Sequence, residues 1–491
     1  MSLPLHLWNI KEQTRNHALD CGLDFFEVVY EMVSPEKVNE IAAYGGFPVR
    51  YPHWRFGMEY ERLAKSHLYG LHKIYEMVIN NDPCYAYLIE GSGIVDYKLI
   101  MAHVYAHSDF FKNNMWFQHT DRKMMDEMAN HATRVRRYID RFGQDRVESF
   151  LDACLSLDSL VDMHFPDRSG PRRPSDGGGA AAPDHRFAVR TPEYLEEFLY
   201  PEEYVEQQRR KRREAEETAQ RFPSRPEKDV LHFLAQHAPL ENWERDVVSI
   251  VREEALYFAP QGMTKIMNEG WASYWHSRIL TERTLTSAEI VEFADHHSQT
   301  VATHGRQLNP YKLGLELFRD IEDRWNRGRF GKEWDECDDL RMKGMWDRDL
   351  GLGREKIFQV RRVYNDVTFL DEFLTPEFCL EHKMFTWLFE PRANRVVINS
   401  KAFEEVKATL LKQITHFGKP VIHLVDANHR NRGELLLQHR FEGEELDLKY
   451  AVDVLANMRT IWRRPVSILT VAGGESQIWS HDGDHFSRDS L

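Results

Sequence analysis

The sequence predicts an α+β protein, in which a mainly helical region precedes a smaller module of strands and helices. Apolar residues recur at helical spacing from Leu23 to about His164 and again from Asp229 to about Arg329, and short β-prone runs appear after that. The chain has 491 residues, which exceeds the length that a single hydrophobic core usually accommodates. We therefore expect two or three structural units.

The first helical region contains one short predicted strand. The stretch EYERLAKSHLYGLHKIYEMVIN (59–80) has leucine and isoleucine at helical spacing and stops at NNDP, which predicts a helix. The β-prone run CYAYLIE (84–90) ends at GSG, and IVDYKLIMAHVYAHSDFF then has the pattern of a helix. The stretch HVYAH (103–107) is therefore expected on a helix directly after a short strand.

A low-complexity segment interrupts the helical region. Residues 168–185, RSGPRRPSDGGGAAAPDH, are rich in Gly, Pro, Ser and Ala, which favours a flexible linker or a long exposed loop. The following EEYVEQQRRKRREAEETAQR favours a helix but lacks an apolar stripe, so we interpret it as a solvated connector rather than a nucleic-acid-binding helix.

The last part of the chain predicts a ferredoxin-like module. NRVVINS, KAFEEVKATLLKQITHF, KPVIHLVDAN, GELLLQHRF, LDLKYAVDVLANMRTIW and PVSILTVAG follow one another in the order βαββαβ. We expect a helical domain built from residues 1–165 and 227–345, a linker at 166–226 and this module at 346–491. A fold of this kind does not by itself supply a function.

Charge and composition exclude several classes of protein. The net charge of −14 argues against general nucleic-acid binding, which needs a basic face. No apolar run approaches the roughly 20 residues of a membrane helix, and the N-terminal residues lack the pattern of a secretory signal. The five cysteines are widely spaced, which is typical of reduced thiols. We expect a cytoplasmic protein.

The histidines of HVYAH form the first candidate metal-ligand pair. On a helix, His103 and His107 project from one face, as in H-E-x-x-H zinc enzymes, where the Glu is the general base. Val104 stands where that base would be. The spacing alone leaves two interpretations open: a metal clamp, or two core histidines with ordinary hydrogen bonds.

The stretch MNEGWASYWH (267–276) adds a carboxylate. Glu269 and His276 lie two helical turns apart, and Glu269 stands among large apolar residues where a carboxylate needs a partner. His103, His107 and Glu269 would form a His₂Glu set with an open fourth position, as in catalytic zinc sites. The alternative is a buried Glu–Arg or Glu–His pair that links two helices.

Two further carboxylates are candidates for the general base or for a group that orients a metal-binding histidine. Glu90 ends the strand before the histidine helix and could replace the missing base, whereas Glu254, or its neighbour Glu253, could orient a ligating imidazole. The adjacent His296 and His297 favour a helix surface over a ligand pair, because neighbouring residues point about 100° apart.

Five longer stretches carry a resemblance to a known family. They are YPHWRFGMEYERL, YEMVINNDPCYAYLIEGSGIVDYKLIMAHVYAHSDFFKNN, IVREEALYFAPQGMTKIMNEGWASYWHSRIL, NPYKLGLELFRDIEDRWNRGRFG and REKIFQVRRVYNDVTFLDEFLT. Together they resemble the SpoVR family, stage V sporulation protein R and its relatives, over nearly the whole chain. The EGWA stretch also resembles one found in some zinc peptidases that carry an H-E-x-x-H helix. This chain departs from their pattern at Val104, which stands in place of the Glu.

The resemblance implies a bacterial setting rather than a reaction. It implies a cytoplasmic protein tied to formation of the spore cortex or to a stress response, and partners of two kinds, a PrkA-type serine kinase and a YeaH-type protein.

Two hypotheses follow from the residues and the resemblance. In the first, a zincin-like helical domain binds one divalent metal, zinc or alternatively iron, through His103, His107 and Glu269. It hydrolyses an amide of a peptide or peptidoglycan precursor, with Glu90 or Glu254 assisting and His276 polarising the substrate. In the second, the chain is a non-catalytic regulator with a degenerate metallohydrolase fold, and its C-terminal module docks a partner of the kinase system.

Overall fold

A computed structural model describes residues 3–68, 76–164, 221–302, 308–390, 395–483 and 485–491. The chain divides into two compact units. The first unit comprises Met1–Gly143 and Tyr257–Gly418, and the second comprises Gln144–Leu256 and Lys419–Leu491. The predicted linker, 166–226, lies almost entirely outside the described residues.

The described elements confirm the α+β class. The helices are α1 (Leu5–Asp20), α2 (Pro35–Ala43), α3 (Trp54–Leu68), α4 (Ile94–Asn113), α5 (Met124–Phe142), α6 (Gln144–Leu155), α7 (Val230–His237), α8 (Asn242–Met263), α9 (Lys265–Ile279), α10 (Ile290–Thr300), α11 (Pro310–Arg327), α12 (Lys332–Asp335), α13 (Leu340–Gly344), α14 (Gly353–Val363), α15 (Asp366–Phe373), α16 (Pro376–Glu381), α17 (Phe403–Ile414) and α18 (Leu448–Trp462). The strands are β1 (Val28–Val33), β2 (Met77–Ile79), β3 (Cys84–Ile89), β4 (Thr386–Glu390), β5 (Arg395–Ser400), β6 (Ile422–His429), β7 (Glu434–His439), β8 (Val466–Ala472), β9 (Glu475–His481) and β10 (Phe486–Ser490). None of the described helices is both long and apolar enough to cross a membrane.

The two units are assembled differently from the predicted domains. The first unit is discontinuous. Residues 144–164 and 227–256 belong to the second unit, and residues 346–418 belong to the first. Periodicity identifies the apolar face of a helix, whereas the core that buries this face is set by contacts distant in sequence.

A three-stranded sheet in the first unit leads into the histidine helix. Its order is β1-β3-β2, with β1 parallel and β2 antiparallel to β3. The strand predicted over CYAYLIE is confirmed as β3. The helix predicted over 59–80 is wrong at its end, because Val78 pairs with Ala86 of β3 and residues 77–79 form β2.

Helix α4 lies inside the first unit rather than on its surface. All its residues from Val95 to Phe111 are buried, which is typical of a helix enclosed on every side. The Asp96 carboxylate accepts a hydrogen bond from the Gly93 N–H at 3.3 Å and so fixes the first turn. The predicted helix directly after a short strand is therefore confirmed.

Helices α9 and α11 of the first unit cross at two glycines. A Cβ on Gly270 would lie 2.4 Å from the backbone of Gly314, and a Cβ on Gly314 would lie 2.1 Å from the Ile266 carbonyl oxygen. Only glycine allows such a close backbone approach. The first turn of α9 is also fixed, because the N–H groups of Ile266 and Met267 donate to the Asp366 carboxylate at 2.8 and 2.9 Å.

The ferredoxin-like prediction does not describe the observed pairing. The βαββαβ order is present from β5 to β8, but β5 pairs with β4 in a separate two-stranded sheet of the first unit. The second unit has a five-stranded sheet of order β10-β9-β8-β7-β6, in which β7 and β8 are parallel. Strand order along the chain does not specify which strands pair.

We expect Gly314→Ala to destabilise the protein by about 2 kcal/mol or more, because the added methyl group meets backbone that cannot give way. Gly57→Ala is the matched control: Gly57 lies on the exposed side of α3, and its Cβ would meet nothing within 4 Å. Alanine there should be neutral or stabilising by up to about 1 kcal/mol. Chemical denaturation of both variants measures the difference, and equal stabilities would contradict the close crossing.

Candidate metal centre

His103 and His107 of α4 face one buried space. The two residues are 1% and 3% exposed, and their ring centroids are 4.5 Å apart. A buried pair of imidazoles on one helical face needs polar partners from other elements.

Two carboxylates supply these partners. The His103 Nε2 atom lies 3.0 Å from Glu76 Oε1 and 3.5 Å from Glu269 Oε2. The His107 Nε2 atom lies 3.9 Å from the same Glu76 oxygen and 3.5 Å from the same Glu269 oxygen. One potential ligand atom of each of the four residues lies within 4.8 Å of all the others. We call these residues, Glu76, His103, His107 and Glu269, the His₂Glu₂ cluster.

Glu76 is the member that sequence reasoning missed. It directly precedes β2, within the stretch predicted as the end of a helix, where a glutamate looks like part of a solvated face. Because β2 pairs with β3 and β3 leads into α4, the sheet carries this carboxylate to the histidine helix. The only local signal is an acidic residue inside the otherwise apolar run YEMVI.

Two polar atoms of the cluster lack hydrogen-bond partners. The buried His103 Nε2 and Glu269 Oε2 atoms form no hydrogen bond of acceptable geometry with any described residue. Such orphaned atoms are costly when they stand alone, but a cation between them satisfies both. Imidazole and carboxylate are the ligand types that zinc and iron accept, so the residues fit a divalent metal.

The other ring nitrogens of the two histidines are already engaged. His107 Nδ1 is 2.9 Å from the Asn268 Oδ1 atom, and His103 Nδ1 is 2.7 Å from His276 Nδ1. The amide oxygen of Asn268 only accepts hydrogen bonds, so the proton of a neutral His107 lies on Nδ1 and its Nε2 lone pair faces the cluster. Partners of this kind orient the histidine ligands of metal sites.

The charges in the cluster shift the pKa values of its members in opposite directions. Burial raises the pKa of the Glu76 carboxyl, but the neighbouring His103 and His107 outweigh it and lower the pKa to about 2. Burial lowers the pKa of His107, but the adjacent carboxylates of Glu269 and Glu76 outweigh it and raise the pKa to about 10. Without a metal, the cluster is therefore held as ion pairs, which is the Glu–His alternative left open by the sequence.

The structure places His276 beside the cluster. Its side chain is fully buried, and its Nε2 atom is 3.0 Å from His297 Nδ1, so both of its nitrogens contact other imidazoles. Burial, followed by the charge of His103, holds its pKa well below the usual value. His276 is thus placed to orient His103.

Glu90 and Glu254 are not brought into the cluster. Glu90 is exposed just after β3, and its backbone N–H donates to Val33. Glu254 is buried in the part of α8 that belongs to the second unit. Their proposed assisting roles stay predictions. The phenol of Tyr311 does lie near the cluster: its ring is 6.2 Å from that of His103, and burial together with the charges of Glu269 and Glu76 raises its pKa.

The pKa shifts predict how stability depends on pH after chelation. The raised pKa of His107 contributes stability that is complete below the unfolded value of 6.5 and is lost as the pH rises through about 10. The lowered pKa of Glu76 contributes stability that is present above 4.5 and is lost as the pH falls toward 2. In excess chelator, we expect the midpoint temperature of thermal unfolding to decrease as the pH is raised from 6 to 9. The decrease should be smaller in His107→Gln. Equal changes in both proteins would contradict the ion-pair network.

Comparison with known proteins identifies the family. The family described as SpoVR like protein matches residues 4–419, which include the whole cluster. The uncharacterized protein YcgB of Escherichia coli (strain K12) is 32% identical over 429 residues, which cover 80% of this chain and 77% of YcgB. No solved structure is significantly similar to the chain. The extent of the family match, together with the similarity to YcgB, places this chain in the SpoVR family.

Proposed function

We propose that the chain is a metal-dependent hydrolase that acts on an amide, in a peptide or a peptidoglycan precursor. The observation that carries the proposal is the convergence of four potential ligand atoms in the His₂Glu₂ cluster, two of which are buried without a hydrogen bond. A divalent cation held there would polarise the amide carbonyl and make a water molecule a better nucleophile. Zinc is the expected metal and iron the alternative.

The other roles in this proposal are metal binding, orientation of the imidazoles and proton transfer, and each is assigned to particular residues. His103, His107 and Glu269 hold the metal in this proposal, and Asn268 and His276 keep the two imidazoles in place through their Nδ1 atoms. Glu76 stands where it can replace the general base missing at Val104, since its carboxylate adjoins both imidazoles. It would take the proton of the attacking water.

Metal content tests the cluster directly. We expect about one divalent ion per chain in purified protein, and at least a tenfold loss of metal affinity in His103→Gln and Glu269→Gln, since each variant removes a ligand. Glu90→Gln is the control, because this exposed carboxylate lies outside the cluster and should leave the metal content unchanged. Elemental analysis of all variants measures the result, and full metal content in His103→Gln and Glu269→Gln would contradict the site.

The second candidate function is a non-catalytic regulator with a structural metal. It is favoured by the fourth carboxylate: if Glu76 is a ligand rather than a base, four protein atoms complete a tetrahedral zinc site and leave no position for water. The regulator would work with a PrkA-type kinase or a YeaH-type protein, as the family resemblance implies.

Cobalt substitution separates the two functions. For the hydrolase, we expect the visible spectrum of the Co(II) protein to change when a small anion such as azide is added, because one coordination position is open. Glu76→Gln should keep the metal and this response but lose hydrolysis of an amide substrate panel, followed by mass spectrometry. An unresponsive wild-type spectrum that becomes responsive in Glu76→Gln would instead favour the regulator.

A further inference from the structure

A second feature of the first unit is an open cleft away from the residues of the His₂Glu₂ cluster. It has a volume of about 1000 Å³, at the upper end of the usual range for small-molecule sites. Its walls come from the end of α1 and the residues after it, from Trp325 of α11, and from α14 with the preceding Leu352.

Three cations of α14 line this cleft: Arg354, Lys356 and Arg362. The Arg354 guanidinium donates to the Cys21 carbonyl and lies 5.1 Å from the centre of the Trp275 ring. The Lys356 ammonium lies 4.9 Å from the centre of the Trp325 ring and donates to Gln359 at 3.2 Å. Aromatic rings and neutral acceptors therefore hold two of these cations in place.

No carboxylate among the described residues forms an ion pair with any of the three cations. The chain as a whole has a net charge of −14, and its acidic residues outnumber its basic ones. Of the two acidic residues at the cleft, Asp20 is already paired with Arg283 at 3.2 Å, and Glu355 lies in the first turn of α14, where a carboxylate suits the helix N-terminus. The cleft therefore carries an excess of positive charge.

We propose that this cleft binds a small organic ligand with two or more negative groups, phosphate or carboxylate. Arg354 and Arg362 are eight residues apart, which separates their backbones by about 12 Å along the helix axis, so they can meet charges at different points of one ligand. Guanidinium groups bind phosphate and carboxylate through paired hydrogen bonds, while Leu352 and Phe358 supply apolar contacts. The site is independent of the proposed hydrolase function.

Calorimetric titration of the full-length protein tests this site. The probes are fructose bisphosphate for the phosphate arm and adipate for the carboxylate arm; neither is a strong chelator, so metal removal does not obscure the heat. We expect saturable binding of at least one probe, with one ligand per chain, and weaker binding at higher ionic strength. The arm that binds identifies the anionic group.

Three variants decide where the probe binds. Lys356→Met keeps an apolar side chain beside Trp325 and removes the charge, and Arg362→Gln alters an exposed side chain, so both should fold. Each should weaken binding at least tenfold. Lys343→Met is the matched control, because Lys343 also lies over a tryptophan, 5.2 Å from the ring centre of Trp334, but outside the cleft. Absence of saturable binding, or the same affinity in Lys356→Met and Arg362→Gln as in the wild type, would overturn the proposal.

Discussion

The placement of two partly buried carboxylates opposite two buried imidazoles is the constraint on which the first unit depends. A charged group taken out of water is costly unless an opposite charge or a metal compensates it. Glu76 and Glu269 are compensated by His103 and His107, whose helix is enclosed on all sides. No member of the cluster is therefore independent of the others. The arrangement that balances the charges in the absence of a metal also offers four ligand atoms to a metal ion.

The backbone around the cluster is fitted to hold this arrangement. Helix α9 carries Asn268 and Glu269 next to Gly270, and Gly270 lies against Gly314 of α11 without any intervening side chain. The Asp366 carboxylate binds two N–H groups in the first turn of the same helix. Because burial raises the pKa of Asp366 to about 7, the two N–H groups only partly offset the loss of solvent around this carboxylate. Such a fixed backbone limits how far Glu269 can move when a ligand or cation enters.

The balance between hydrolase and regulator depends on the role of Glu76. As a base it restores the function lost at Val104, and as a ligand it closes the coordination sphere of a tetrahedral metal. Its carboxylate is nearer to His103 Nε2, at 3.0 Å, than to His107 Nε2, at 3.9 Å, so it is not placed symmetrically between the two imidazoles. The positively charged cleft beside α14 is a separate feature of the same unit and belongs to neither alternative.

The sequence by itself determined most of the local elements, with the exception of β2, which lies at the end of a predicted helix. Helical spacing placed His103 and His107 on one face after a short strand, and an isolated acid among tryptophans singled out Glu269. Only the tertiary structure decided that Glu76 joins them, that Asn268 and His276 orient the two imidazoles, that Glu90 and Glu254 lie outside the cluster, and that β5 pairs with β4 instead of completing a ferredoxin-like sheet. The physical reason is the distance along the chain over which each effect acts. Helical periodicity and turn residues depend on a few neighbouring positions, whereas strand pairing, core packing and charge compensation join residues that are far apart in the sequence.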